Sequence, residues 1–261
     1  MELRTLLDLA NVCSVLPRSE EEEWSDSCNV SEKFYSYFKL PNALFLNHRL
    51  IYAYLKKFLD REEDSSILDV GCGGGDLLQY LALRLEKDGF RFSLTGVDAN
   101  AAAAALAKRR TRAWRNVRVL CGQAKEVDGS YHMAVVSQVL HHLSPADASS
   151  MLKFVYGAVS RGIVISDFLR SRAAYWLVKA GVNLTTNDGV HRHDGPLSVL
   201  RSYTDKEIGR LMREAGIRRF SIHKAFPRKF IIIPKGQESY SKGTEAGNLR
   251  VEEQMPGAAS G

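Results

Sequence analysis

Four clusters in this sequence hold residues that could bind a charged ligand or move a proton. The densest is Asp69-Val-Gly-Cys-Gly-Gly-Gly-Asp76, where Gly71, Cys72, Gly73 and Gly75 lie between two carboxylates. Glycines there let a ligand approach the backbone closely, and acids at both ends favour a cation. The second is Asp98-Ala99-Asn100, placed where an acid could accept from a pair of hydroxyls. The third, Ser137-Gln138-Val-Leu-His141-His142, sets two imidazoles beside two hydrogen-bonding side chains. The fourth, Asn187 to Ser198, holds His191, Arg192, His193 and Asp194. Histidine titrates near neutral pH, so a general base is expected in one of the last two clusters.

Spacing narrows the ligand of the glycine turn. A dinucleotide turn needs Gly-x-Gly-x-x-Gly/Ala, but counted from Gly71 its third glycine position is Asp76, which would repel a pyrophosphate. No Gly-Lys-Ser/Thr end is present to hold a β/γ-phosphate. A ligand carrying an ammonium and a sulfonium suits both acids. The stretch Asp69-Val-Gly-Cys-Gly-Gly-Gly75 resembles motif I of class I S-adenosylmethionine (SAM)-dependent methyltransferases. The resemblance implies that the glycines pass under the methionyl and ribose part of SAM and that Asp69 helps orient its amino acid end. It further implies that Asp98, followed by Ala99, meets the ribose hydroxyls, that Gln123 and Ala124 lie along the adenine, and that Ser137 and Gln138 line the cofactor from the other side. Gln123 stands where the family often has an acid, and its side-chain oxygen can still bond the adenine amino group. Asn100 is the better N-cap for the following helix, which leaves Asp98 for the ribose.

Methyl transfer from SAM, which leaves S-adenosylhomocysteine (SAH), asks mainly for proximity and alignment; an oxygen nucleophile also needs a base. The expected catalytic residues are His142, His193 and His141, with Asp194 orienting His193. In this superfamily the insertion after the fifth strand builds the acceptor pocket with the N-terminal helices. Tyr175 and Trp176 are expected as an apolar wall there, beside His191 and Arg192. No Asp/Asp/Asn metal constellation of the catechol type is evident, so no metal is expected. The chain resembles bacterial small-molecule methyltransferases of natural-product and quinone-like pathways. The expected reaction is O-methylation of a small, largely apolar, phenolic or polyketide acceptor. C-methylation of a quinone precursor is the alternative, because Leu140-His-His-Leu143 is shared with those enzymes. RNA methylation and non-catalytic SAM binding are the readings from other classes. The basic run Lys108 to Arg118 could serve RNA, but it closes a helix, where cations complement the dipole, and no Asn-Pro-Pro-Tyr-like motif follows the fourth strand.

The elements that must position these residues alternate between strand and helix, the pattern of a parallel sheet covered on both faces. Strands are expected at 66–70, 92–97, 117–121, 132–137, 162–168, 219–225 and 229–234. The fold class is α/β: a Rossmann-like seven-stranded sheet with helices on both faces and an N-terminal helical cap. That the last strand runs antiparallel is implied by the resemblance alone. Residues 1–60 read as the helical cap, with a helix from Leu3, an acid run at Glu20–Glu23 expected as a solvated helix start or loop, aromatics from Phe34 onward and a helix from Asn47. Residues 61–235 read as the SAM-binding domain, with the acceptor-site insertion at about 171–200, of which Asn183–Pro196 looks turn-rich. The Gly/Ser/Glu-rich tail 236–261 is expected to be disordered.

Composition excludes other classes. With 261 residues, 45% hydrophobic and 25% charged, the chain matches a globular protein, and no apolar run reaches the roughly 20 residues of a membrane span. The N-terminus lacks the apolar stretch and small-residue site of a signal peptide, and four cysteines show no zinc or disulfide spacing. A reduced, cytoplasmic protein is expected, monomer or homodimer, whose partner is a small-molecule acceptor rather than the nucleic acid that a net charge of +6 would permit.

Overall fold

The computed structural model describes residues 15–27 and 47–235. The helix expected from Leu3, the aromatics from Phe34 to Phe45 and the tail from Gly236 lie outside them. Seven strands form one sheet: β1 (Ser65–Val70), β2 (Phe92–Asp98), β3 (Val117–Cys121), β4 (Tyr131–Ser137), β5 (Val159–Phe168), β6 (Ser221–Ala225) and β7 (Arg228–Pro234). Their order is β3-β2-β1-β4-β5-β7-β6. The first five are parallel, and β7 runs antiparallel to both β5 and β6.

Central strands here read as unbroken apolar runs because both faces are covered. On one face Ile67, Leu94, Met133, Val135, Val164, Phe230 and Ile232 pack against α2 (Asn47–Leu55), α3 (Asp76–Lys87) and α4 (Ala101–Thr111). On the other, their neighbours Leu68, Ala134, Val136, Ile163, Ile165, Ile231 and Ile233 pack against α5 (Pro145–Ala158) and α8 (Asp205–Glu214). This two-residue alternation sends each strand's side chains to opposite layers.

The remaining helices gather at the carboxyl end of the sheet. They are α1 (Trp24–Ser27), α6 (Arg172–Thr185), which follows β5, and α7 (Gly189–Arg201). Residues expected to be turn-rich are therefore largely helical. Asp188 caps α7 by accepting from Val190 N–H at 2.9 Å, and beside buried Pro196, Leu197 and Val199 the helix buries a stripe of His191, Asp194, Ser198 and Arg201. That stripe has helical spacing but is polar, so an apolar-periodicity search passes over it. Strand β5 also begins at Val159 rather than Gly162, directly after α5.

Register brings the carboxyl ends level. Val70 pairs with Val97 and Val136, Asp98 with Cys121, and Ser137 with Ser166. Ligands of open α/β sheets bind outside this edge.

Candidate active site

The glycine turn leaves β1 and enters α3. Its first N–H groups, Gly71 and Cys72, both donate to Val97 O, at 2.8 and 3.1 Å, which folds the turn back over β2. Gly71, Gly73 and Gly75 all have positive φ, at 69°, 52° and 79°. A Cβ at Gly71 would stand 2.4 Å from Val139 Cγ2, and one at Gly75 would stand 2.9 Å from Ala107 Cα on α4. Those two glycines therefore serve the close approach of protein to protein. Arg110, in the basic run, donates to Gly74 O at 2.9 Å and braces the turn from α4.

Asp98 ends β2 facing this turn. Gly73 N–H donates to its Oδ2 at 2.8 Å and Asn100 N–H to its Oδ1 at 2.9 Å. Asn100 in turn caps α4, accepting from Ala102 and Ala103. Burial raises the Asp98 pKa, although both N–H groups and the nearby His142 oppose it. Asp69 is different. Both its carboxylate oxygens are buried with no hydrogen-bond partner among the described residues. Burial first, then repulsion from Asp76 and Asp98, holds its pKa well above the usual carboxylate range. After β3, Gln123 N–H donates to Glu126 at 3.0 Å, while the Gln123 side chain is exposed and Ala124 half-buried.

At the ends of β4 and β5 a hydrogen-bonded chain runs from Ser166 Oγ to Asn47 Oδ1 at 2.6 Å and from Asn47 Nδ2 to Ser137 Oγ at 3.3 Å. The start of α2 thus closes over the cleft, and its next residue, His48, meets Asp76 at 3.4 Å. Gln138 follows in the left-handed region at φ 61°, its N–H donating to Ser166 O at 2.9 Å. Strained non-glycine backbone of this kind clusters at functional sites.

His141 and His142 sit on a 3-10 turn, Leu140–His142, just before α5. His141 is buried, and its Nδ1 meets Asp167 Oδ1 on β5 at 2.7 Å. Burial would raise the Asp167 pKa, but the His141 ring, the Phe168 N–H and Lys229 outweigh it and hold the carboxyl below its ordinary value. The His142 side chain is 30% exposed and its ring lies 4.3 Å from that of His141. Beside both rings stands Glu23. Its Oε1 is 3.7 Å from His141 Nε2 and its Oε2 3.8 Å from His142 Nδ1. The acid run expected to be solvated therefore delivers a buried carboxylate. Nothing in its local sequence marks this; α7 buries it, with Ser198 Oγ donating to Glu23 Oε1 at 2.8 Å. Arg201 fixes the turn by donating to His141 O at 2.9 Å and His142 O at 2.8 Å.

His193 lies elsewhere, between Asp194 at 2.7 Å and Glu21 at 3.1 Å, stacked 3.9 Å from the Trp24 ring. Burial lowers its pKa, but the two hydrogen-bonding carboxylates outweigh burial and raise it. Asp194 also accepts from Trp24 and Ser25 N–H, both at 2.9 Å, and so caps α1. His191 is buried with Nδ1 3.3 Å from Asp188. Arg192 donates to Thr186 O, Asn183 O and Asn187 Oδ1, joining the end of α6 to α7. Tyr175 is half-buried on α6, and Trp176 is 59% exposed beside it.

Residues 67–162, which span the glycine turn, Asp98 and the histidine pair, match the methyltransferase domain family. The plantazolicin methyltransferase BpumL, solved with a monoazolic desmethylPZN analog and SAH, superposes with a TM-score of 0.60 at 14% identity, covering 82% of this chain and 93% of that one. Magnesium protoporphyrin IX methyltransferase from Synechocystis PCC 6803, solved with SAH, gives 0.53 at 14% identity over 78% of this chain and 95% of that one. Human N-acetylserotonin methyltransferase with SAM gives 0.52 at 16% identity over 77% and 56%. No curated protein sequence matches the chain. Sheet order and antiparallel β7 give the chain the fold of these solved methyltransferases, and the methyltransferase-domain match covers residues 67–162 of its 261. Among the described residues no helix is long and apolar enough to cross a membrane.

Proposed function

We propose that the chain methylates an oxygen of a small, largely apolar, phenolic or polyketide acceptor, with His142 taking the hydroxyl proton. The observation that carries this reading is the position of His142. It is half-exposed and lies near the Asp98 carboxyl at the carboxyl edge of the sheet. His141, buried on Asp167, instead holds the turn in place. His193 is engaged by Asp194, Glu21 and Trp24, so His142 is preferred.

The cofactor residues fit SAM. Asp69 offers a buried, unpartnered carboxylate, which an ammonium would satisfy directly or through water. Asp98, aimed by Gly73 and Asn100, keeps lone pairs for ribose hydroxyls. Gln123 and Ala124 would flank the adenine, and Ser137 and Gln138 the opposite side. When bound, SAM supplies an electrophilic methyl on a sulfonium. The chain's own task is to hold the acceptor oxygen in line and to remove its proton. Tyr175, Trp176, His191 and Arg192 remain proposed acceptor-side residues on α6 and α7. Solved proteins of this fold named for plantazolicin, magnesium protoporphyrin IX and N-acetylserotonin support a small-molecule acceptor. Among the described residues two free thiols, Cys72 and Cys121, support a reducing cytoplasmic setting.

The test is a SAM-consumption screen across phenols, quinones, polyketides and tRNA. A phenol or polyketide is expected to turn over, and His142→Ala should lower kcat about 10²–10⁴-fold with SAH affinity nearly unchanged. Turnover confined to quinone carbon or to tRNA would replace this reading, and full activity in both His142→Ala and His193→Ala would remove the histidine from the chemistry.

A further inference from the structure

We infer that Glu23, His141 and His142 form a site for one divalent cation of the zinc type. One ligand atom from each lies within 4.8 Å of the other two. The Glu23–His141 and Glu23–His142 separations, 3.7 and 3.8 Å, are too long for hydrogen bonds. They are close to the roughly 3.4 Å that separates two ligands each about 2.1 Å from one tetrahedral ion. A shift of a few tenths of an ångström at Glu23 closes that gap, while the two imidazole nitrogens, within 4.8 Å of each other, are brought closer by rotation of the His142 ring.

A second, independent observation is the hydrogen bond behind His141. Asp167 can only accept as a carboxylate, so its 2.7 Å contact puts the His141 proton on Nδ1 and leaves the Nε2 lone pair on the Glu23 side. A carboxylate behind a histidine that offers its other nitrogen is how metal-ligating rings are commonly oriented. The third is burial. The Glu23 side chain is 4% exposed, and a carboxylate out of water needs a counter-charge, whereas Ser198 supplies only a hydroxyl dipole. Arg201 is near, but its donors go to the backbone oxygens of His141, His142 and Glu21. Those bonds, with Asp194 on Trp24 and Ser25, lock the turn and the segment carrying Glu23 before any ion arrives.

Two imidazoles and one carboxylate suit zinc better than magnesium or calcium, and three protein ligands leave a fourth position open. In the metal-free chain His142 takes the hydroxyl proton; with the ion bound, His142 would be a ligand and the ion itself would lower the pKa of an acceptor hydroxyl. The hydroxyl proton would pass to water, and the oxygen–methyl bond would form as the sulfur–methyl bond breaks. This use rests on the methyl-transfer reading above; the site itself does not. The absence of a catechol-type acidic constellation, which led to the expectation of no metal, does not bear on a site whose carboxylate comes from the distant N-terminal segment.

The full chain, stripped with chelator and freed of it, is titrated with Zn²⁺ by calorimetry, and its metal content is measured by mass spectrometry. One zinc per chain with Kd below about 1 μM is expected. Glu23→Gln and His142→Gln should each weaken it by about 100-fold or more, and His193→Gln should leave it unchanged. SAH affinity reports folding of each variant, and if Glu23→Gln fails to bind SAH, the half-exposed His142→Gln decides. The proposal is overturned if the wild-type chain binds no zinc, or if the folded variants bind it as well as wild type. Zinc bound as expected, with no acceptor consuming SAM, would fail the methyl-transfer reading and leave the site standing.

Discussion

Asp69 carries the largest conflict at the scale of single residues: a buried carboxylate without a partner among the described residues, beside two other acids. Its folded pKa lies well above the ordinary aspartate value, so the folded state binds more protons than the unfolded state. Stability therefore falls as pH rises from about 4 toward that raised value. Asp69→Asn removes the charge and should stabilise the cofactor-free protein by about 1–3 kcal/mol. It should also flatten the pH slope and weaken SAM binding about 10-fold, through loss of a charge-assisted contact. Urea midpoints at several pH values, with and without SAM, measure all three; equal slopes in both proteins would contradict the assignment. The acids and glycines of this turn were readable from spacing alone. That Asp69 is wholly enclosed was not, because enclosure is made by α2, α3 and α4 closing over the strand.

Among the elements, the join between the glycine turn and α4 is the most demanding. Gly75→Ala would combine positive φ with a Cβ 2.9 Å from the Ala107 backbone. Gly89→Ala shares the positive φ, at +76°, but meets nothing within 4 Å. The expected losses are about 1 kcal/mol for Gly89→Ala and at least about 2 kcal/mol for Gly75→Ala, with SAH affinity impaired only in the latter. Thermal denaturation and SAH titration of the pair check this, and similar losses would mean that the close packing of α4 is not what requires Gly75. The strands and α3, α4, α5 and α8 were legible from apolar periodicity, since their buried faces are apolar. Helix α7 was not, since its buried stripe of His191, Asp194, Ser198 and Arg201 meets partners brought from elsewhere in the chain.

For the molecule as a whole, the proposed cofactor would link both halves of the sheet edge, from the turn after β1 to Asp98 on β2 and Ser137 on β4. A ligand bound only by the folded state adds about 2.7 kcal/mol of stability at 100 times its Kd. For a domain of this size that is roughly 5–10 °C in Tm. SAH at that excess should give this shift, and Asp98→Ala should abolish most of it; no shift with the wild-type chain would remove the cofactor assignment. What the sequence determined by itself was the sheet edge proposed to hold the donor: a glycine turn with two acids, an acid one strand later, and the alternation that aligns their strands. Local rules suffice there, because turn conformation, strand burial and helix capping depend on near neighbours in the chain. Only the tertiary structure decided the other side of the cleft. It carried Glu23 from the N-terminal segment to the two histidines, set Asp167 behind one of them, and laid Asn47 against Ser137 and Ser166. Those contacts join residues far apart in sequence through buried polar groups, and no periodicity or composition records such a pairing before the chain folds.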